Sequence, residues 1–153
     1  MSEMTHFTLS RQFTDLIGRK VTFVQVKTGL PTKERQVYGV YTLFPAETTI
    51  VVKADLLLLG ACAGALVGLP DADVRRHLQS TPIEELLRDA MYEVLNVAAA
   101  VVAVKGRAVL TQMVTGMETL PAAAAAVLAK PANTNNFTVS VEGYQGGKFA
   151  VLA

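Results

Sequence analysis

The sequence is poor in the residues that cross-link small proteins or hold metal ions. It has one cysteine, Cys62, and two histidines, His6 and His77. A single cysteine cannot form an internal disulfide, so Cys62 is predicted to be a small residue of the core. The two histidines are far from each other and from Cys62, without the close ligand pairs that zinc sites show. We therefore expect that none of the three binds a metal.

An excess of charge of either sign is also missing. Lysine and arginine number 14 against 13 acidic residues, which gives a formal net charge of +1. Binding to nucleic acid draws much of its free energy from basic surfaces that displace counterions. We therefore expect no nucleic-acid partner.

Long hydrophobic runs are absent as well. The most apolar stretch, LLLLGACAGALVGLP at residues 56–70, falls short of the ~18 uncharged residues that a membrane-spanning helix needs. The stretch MSEMTHFTLSRQFTDLIGRK has an early acidic residue and no continuous apolar segment, unlike a secretory signal. These features predict a cytoplasmic protein with no membrane partner.

Apolar residues are nevertheless abundant. Hydrophobic residues make up 51% of the 153-residue chain and the mean hydropathy is +0.35, largely because of alanine and valine rather than aromatic residues. This length is typical of one domain with a substantial core. We predict a single domain over residues 1–153 that covers part of its surface with a partner, most simply as a homodimer.

Periodicity along the chain predicts an α+β fold. Segments with apolar residues at helical spacing alternate with β-branched segments that have the alternation of strands. The predicted helices are HFTLSRQFTDLIG, LLLLGACAGALVG, DADVRRHLQS and PAAAAAVLAK, and the predicted strands are KVTFVQVKT, RQVYGVYTLF, TTIVVKADL, RAVLTQMVT, FTVSVEGY and KFAVLA. A further and longest helix is predicted over residues 82–104, with Thr81 as its cap and Pro82 in its first turn.

A weak internal repeat divides the chain into two halves, at about 1–69 and 70–153. GRKVTFVQVKTGLP begins at Gly18 and GRAVLTQMVTGMETLP begins at Gly106, and the two share a glycine-arginine start and a later leucine-proline. The predicted fold is thus a duplicated helix-plus-antiparallel-strands unit. Its sheet has about six strands, with the long helices packed on one face.

One face of the longest helix is polar. At about 100° per residue, Glu93 lies roughly 40° from Asp89, and Asn96 roughly 60° from Glu93 on the same side. Ala100 continues this stripe, and Tyr92 lies beside it. Such a face suits a closely fitting partner, but a solvated helix face of this composition also needs no function, so the pattern leaves both interpretations open.

The string Asp89-x-x-x-Glu93-x-x-Asn96, followed by Pro121, resembles the phosphatase signature of the CheC, CheX and FliY family of bacterial chemotaxis proteins. The resemblance extends to GVYTLF in a predicted strand, to GALVGLP at a helix end, and to the duplicated layout. The spacing from Asn96 to Pro121 is a residue or two longer than the family pattern. Because only one acid-amide pair is present, the sequence is most similar to CheX, which uses one such helix in each subunit.

The resemblance implies an activity and a partner. Members of the family dephosphorylate the response regulator CheY, which binds the Mg²⁺ itself, so no cofactor of the chain's own is implied. Asn96 would orient the attacking water and Glu93 would pair with a lysine of the receiver domain. Asp89, Tyr92 and Ala100 would contribute to binding the partner.

Two other interpretations stay open at this stage. Related domains of the flagellar switch bind partners without dephosphorylating them, so the chain could instead be a non-catalytic adaptor or dimerisation module in signalling. A structural domain with an unknown ligand is the third interpretation.

Overall fold

The computed structural model describes residues 6–27, 35–79, 83–103, 106–115 and 120–153. These residues form five helices and six strands, in the order that the sequence predicts. The elements are α1 (His6–Ile17), β1 (Val21–Val26), β2 (Gln36–Phe44), β3 (Thr48–Asp55), α2 (Leu56–Val67), α3 (Asp71–Leu78), α4 (Glu85–Val102), β4 (Arg107–Thr115), α5 (Ala122–Ala129), β5 (Thr134–Val141) and β6 (Gly147–Leu152).

The six strands form one antiparallel sheet in the order β1-β5-β6-β3-β2-β4. Alternation of side chains along the strands directs one set to a main core, as with Val37 and Tyr41 in β2, and the other set to the opposite face. The α+β fold with an antiparallel sheet is therefore confirmed.

Three helices, α1, α2 and α4, cover one face of this sheet and contact one another. Together with the sheet they enclose the main hydrophobic core, in which four phenylalanine rings make edge-to-face contacts with centroids 5.0–5.8 Å apart. The rings belong to Phe13, Phe23, Phe137 and Phe149. The prediction that the long helices share one face of the sheet is confirmed.

The opposite face carries α5. Its one buried residue, Ala124, packs with Val40 and Val51 of the sheet, beside the partly buried Leu120, Val127 and Leu128. Helix α5 thus lies on the other side of the sheet from α4.

The strand order is symmetric with respect to the two halves of the chain. Exchanging β1, β2 and β3 with β4, β5 and β6 reverses the order and leaves it otherwise unchanged. The repeated glycine-arginine pairs also occupy matching places: Gly18 and Gly106 both have positive φ angles, of 70° and 81°. Each following arginine lies over an aromatic ring beside a hairpin turn, Arg19 over Tyr144 and Arg107 over Phe44.

Helix α4 is shorter than predicted. It begins at Glu85 rather than at residue 82, because Ile83 is buried and Glu84 has an extended backbone with a ψ angle of 142°. Burial of the Ile83 side chain favours an extended backbone before Glu85 over a further helical turn. Thr81 and Pro82, the predicted cap and first residue, lie outside the described residues, and the helix ends at Val102.

Helices α2 and α3 pack closely because α2 has glycines where they meet. A Cβ atom built on Gly64 would lie 2.2 Å from Cγ2 of Val74, and one on Gly60 would lie 2.6 Å from Cδ1 of Leu78. No heavy atom fits at such distances, so a larger residue at either position requires the neighbouring side chain to turn away or the two helices to separate.

Cys62 is fully buried in α2, and burial raises the pKa of its thiol to about 12. A thiol with so high a pKa is almost entirely protonated at pH 8, and the thiolate is the species that reacts. We expect the folded protein to show no labelling by an aromatic disulfide reagent over minutes, and one equivalent of label after denaturation, as measured by absorbance. Rapid stoichiometric labelling of the folded protein would contradict the buried position.

Among the helices of the described ranges, none is long and apolar enough to cross a membrane.

Candidate functional site

The polar stripe of α4 lies at the surface of the protein. Asp89, Glu93, Asn96 and Ala100 are exposed, and Tyr92 is 40% exposed. The reverse side of the same helix is fully buried, with Met91, Val94, Leu95 and Ala98 at 0% exposure. Burial of one side fixes the rotation of the helix and directs the other side to solvent.

The polar side chains of this stripe are available for a partner. Within the described parts of the chain, no hydrogen bond or ion pair engages the side chains of Asp89, Glu93 or Asn96. Glu85, in the first turn, adds a third exposed carboxylate to the helix. Three acidic side chains and one amide therefore face solvent together, and this surface suits a partner with a basic group.

Leu86 belongs to the same face and was not singled out by the sequence analysis. It is 60% exposed and lies seven residues before Glu93, which places the two within about 20° around the helix. An exposed leucine two turns from the acid-amide pair adds an apolar contact to a polar surface. Its heptad spacing from Glu93 was visible in the sequence, but an isolated leucine in a helix is normally assigned to the core.

A shallow open depression of about 280 Å³ lies between α4 and the edge strand β4. Asp89 and Tyr92, two of the predicted partner-binding residues, line it from the helix. The remaining lining residues are Arg88, Gln112 and Met113, which the sequence analysis did not predict. The guanidinium of Arg88 donates a hydrogen bond to Oγ1 of Thr115 at 3.2 Å, so it connects helix and strand at this edge. Glu93 and Asn96 are not among the lining residues.

Beneath the acid-amide pair, α4 is attached to the sheet by a buried tyrosine. The hydroxyl of Tyr41, in β2, donates a hydrogen bond of 2.6 Å to the backbone carbonyl of Leu95, the residue before Asn96. Burial, with a smaller effect of Tyr92, raises the pKa of Tyr41 well above its usual range. The hydroxyl is therefore a permanent donor.

The approach of α4 to the sheet at this point depends on Gly39. A Cβ atom at Gly39 would lie 3.2 Å from Cε1 of Tyr41 and 3.3 Å from both Cδ atoms of Leu95. These contacts are tighter than normal packing, so any larger residue would push the ring or the helix outward.

An irregularity of the sheet occurs at the same place. The register between β2 and β4 shifts between Val40 and Tyr41, and the hydroxyl of Thr111 donates to the carbonyl of Val40 at 3.0 Å. A bulge changes the local twist of a strand and the direction of its side chains. Here the extra residue is Thr111 of β4, because Val40 lies opposite Gln112 and Tyr41 opposite Leu110, whereas β2 keeps a continuous register with β3.

Two other predicted features lie elsewhere. Pro121 precedes the first residue of α5, on the face of the sheet opposite to α4. It therefore does not lie beside Glu93 and Asn96, although it follows them in the signature.

Of the two histidines, His77 has its Nδ1 atom 2.9 Å from the carboxylate of Glu84. No group of three or more histidine, cysteine or acidic side chains suited to a metal occurs among the described residues.

Comparison with known proteins shows the fold. No sequence-family model and no curated protein sequence matches the chain. Solved structures do match: a FliM–SpeE complex from H. pylori has a TM-score of 0.65 at 10% identity, with 96% of this chain and 80% of that chain covered. A FliG–FliM complex from H. pylori has a TM-score of 0.62 at 11% identity, with 97% and 86% covered.

FliY from Thermotoga maritima matches with a TM-score of 0.60 at 13% identity, covering 94% of this chain and 80% of that chain. The chain therefore has the fold that FliM and FliY share. At the level of fold, the resemblance to the CheC, CheX and FliY family of chemotaxis proteins is confirmed.

Proposed function

We propose that the protein accelerates the loss of phosphate from a phosphorylated CheY-like receiver domain. The observation that carries the proposal is the exposed face of α4, where Glu93 and Asn96 point to solvent from a helix whose reverse side is fully buried. A rigid helix that projects an acid and an amide can enter a partner's active site without rearranging its own core.

The proposed reaction requires the protein only to position a water molecule. An aspartyl phosphate is a reactive acyl phosphate, and its hydrolysis requires a water placed in line with the bond between phosphorus and the aspartyl oxygen. The water's oxygen bonds to phosphorus, the bond between phosphorus and the aspartyl oxygen breaks, and the products are inorganic phosphate and the free aspartate. The side-chain amide of Asn96 has both a donor and an acceptor, so it can orient this water without bringing a negative charge to the phosphoryl group.

Glu93 has a different task in this proposal. Its carboxylate pairs with a lysine of the receiver and sets the position of α4 along the partner surface, so that Asn96 reaches the phosphoryl group. Asp89, Tyr92 and Ala100 lie along the same face and contact the receiver on either side of the pair. The Mg²⁺ belongs to the receiver, and the protein contributes no metal or cofactor.

The direct test is phosphate release from a panel of receiver domains. Each receiver would be phosphorylated with a small-molecule phosphodonor in Mg²⁺, and phosphate release measured with and without the protein. At least one CheY-like receiver should lose phosphate roughly tenfold faster or more in its presence. Unchanged release from every receiver, including those that form a complex with the protein, would reject the proposal.

Glu93→Ala should weaken association rather than the chemical step. Loss of a partly desolvated ion pair is expected to raise the KM for the phosphorylated receiver about tenfold, while kcat at saturating receiver stays within about twofold of the wild type. Initial rates over a range of receiver concentrations measure both constants.

Glu85→Ala is the matched control for that variant, because it removes an exposed carboxylate from the first turn of the same helix. An equal rise of KM in both variants would mean that Glu93 acts only through the general negative charge of the helix, and the pairing role would be wrong.

A second candidate function is partner binding without catalysis. Two of the matching FliM structures are complexes, one with FliG and one with SpeE, so proteins that contain this fold bind other proteins. An adaptor would bind its partner through the same or another face and leave the rate of phosphate release unchanged. The panel experiment distinguishes the two functions if complex formation is measured on the same samples.

A further inference from the structure

We propose that Tyr41 is a positioning residue, which holds the turn of α4 bearing Asn96 at the height and rotation that water alignment requires. This inference rests on the function proposed above. It concerns a residue that touches neither water nor receiver, because Tyr41 is 0% exposed.

The contact is placed where it has most effect on Asn96. The Tyr41 hydroxyl donates at 2.6 Å to the carbonyl of Leu95, and that carbonyl belongs to the peptide unit joining Leu95 to Asn96. In a regular helix this carbonyl already accepts the amide of residue 99, and the second lone pair of the oxygen remains free. Tyr41 uses that lone pair, so it can fix the turn without breaking the helix.

Two neighbouring features serve the same contact. Gly39 leaves the space in which the Tyr41 ring and the Leu95 side chain meet. Thr111, the extra residue of β4, donates a hydrogen bond to the carbonyl of Val40, the residue before Tyr41. The thermal motion of an exposed helix face is normally limited only by apolar packing on its reverse side. A directional hydrogen bond adds what packing lacks, since it opposes rotation and sliding of the helix.

Orientation of a water is sensitive to such small displacements. A misplacement of about 1 Å in a catalytic group is enough to reduce a rate by two orders of magnitude. Docking of the receiver relies on several side chains along the helix and tolerates the same displacement better. A positioning role for Tyr41 therefore predicts a change in kcat with little change in KM, whereas a purely structural role predicts neither.

The experiment compares two tyrosines that make the same bond in different places. Tyr41→Phe deletes the hydroxyl below Asn96 and keeps the ring. Tyr144→Phe is the matched control, because the Tyr144 hydroxyl donates at 2.6 Å to the carbonyl of Leu69, which lies in the connection between α2 and α3. On a receiver that the wild type dephosphorylates, Tyr41→Phe should lower kcat about tenfold with KM within about twofold, and Tyr144→Phe should leave both unchanged.

Hydrogen exchange supplies a readout that does not depend on activity. Tyr41→Phe should speed exchange of the amides that follow Leu95 in α4, relative to Tyr144→Phe, at equal denaturation midpoints. Wild-type kcat in Tyr41→Phe, or unchanged exchange in this turn, would overturn the inference. If the wild type itself releases no phosphate from any receiver, the proposed function fails, and the exchange result alone decides whether Tyr41 holds the Asn96 turn.

Discussion

Asn96→Ala is expected to abolish the acceleration of phosphate loss while leaving the protein folded and slightly more stable. Loss of water orientation should lower kcat by roughly 100-fold or more at saturating receiver, because the neighbouring carboxylates of Asp89 and Glu93 accept hydrogen bonds but do not donate them. Alanine has a higher helix propensity than asparagine, so an exposed position should gain about 0.5 kcal/mol in the free energy of unfolding. The measurements are phosphate release at several receiver concentrations and urea denaturation.

The opposite signs of the two effects make this prediction specific. Most substitutions destabilise a protein, so a loss of activity together with a gain in stability identifies a residue kept for function. Asn133→Ala, at an exposed asparagine just before β5, is the control and should leave the rate of phosphate release unchanged. An Asn96→Ala protein that retains the wild-type kcat would exclude Asn96 as the residue that orients water.

Gly64→Ala is expected to destabilise the protein, although the same change in most helices is stabilising by about 1 kcal/mol. The new Cβ would lie 2.2 Å from Cγ2 of Val74, so either α3 must move away from α2 or the valine must leave its rotamer. Valine is stiff at χ1 and cannot yield cheaply. Overpacking of this kind typically costs about 1–3 kcal/mol, which urea denaturation resolves easily.

A double substitution tests the mechanism of that loss. Val74→Ala removes the clashing methyl group and costs stability of its own, since Val74 is buried. If the clash is the cause, Gly64→Ala should add little or no further destabilisation in the Val74→Ala background. Additive losses in the double variant, or a Gly64→Ala protein as stable as the wild type, would show that the two helices are not held at this distance.

The contrast with Gly60 shows why the exact neighbour matters. A Cβ at Gly60 meets Cδ1 of Leu78, the end of a flexible side chain that can turn away. Gly60→Ala is therefore a milder change than Gly64→Ala despite a similarly short distance.

Much of the fold was predictable because it depends on local patterns. Strands β1 and β5 alternate buried and exposed residues, and the helix containing Asn96 shows its buried and exposed sides in the spacing of its apolar residues. The exposed stripe of Asp89, Glu93 and Asn96 followed from helix geometry alone. The start of α4 was placed wrongly, because the burial of Ile83 depends on tertiary packing that no local signal encodes.

The supports of the candidate site were not predictable in the same way. Tyr41 and Leu95 are 54 residues apart, and nothing in either local sequence indicates that a strand tyrosine will meet that particular carbonyl. The depression likewise combines Arg88 from α4 with Gln112 from β4. Such contacts follow from strand order and register, which the periodicity of a single segment does not determine.

The strand order has a consequence for how the chain folds. β1, from the first half, pairs only with β5 of the second, and β4, from the second half, pairs only with β2 of the first. The outer strand of each half therefore pairs with a strand of the other half. A third pairing between the halves joins β3 to β6. The repeated unit of the sequence consequently does not form a separate sheet, and β6 must be synthesised before the sheet can close. Because the pairings that complete the sheet join residues far apart in sequence, its assembly is expected to be slow.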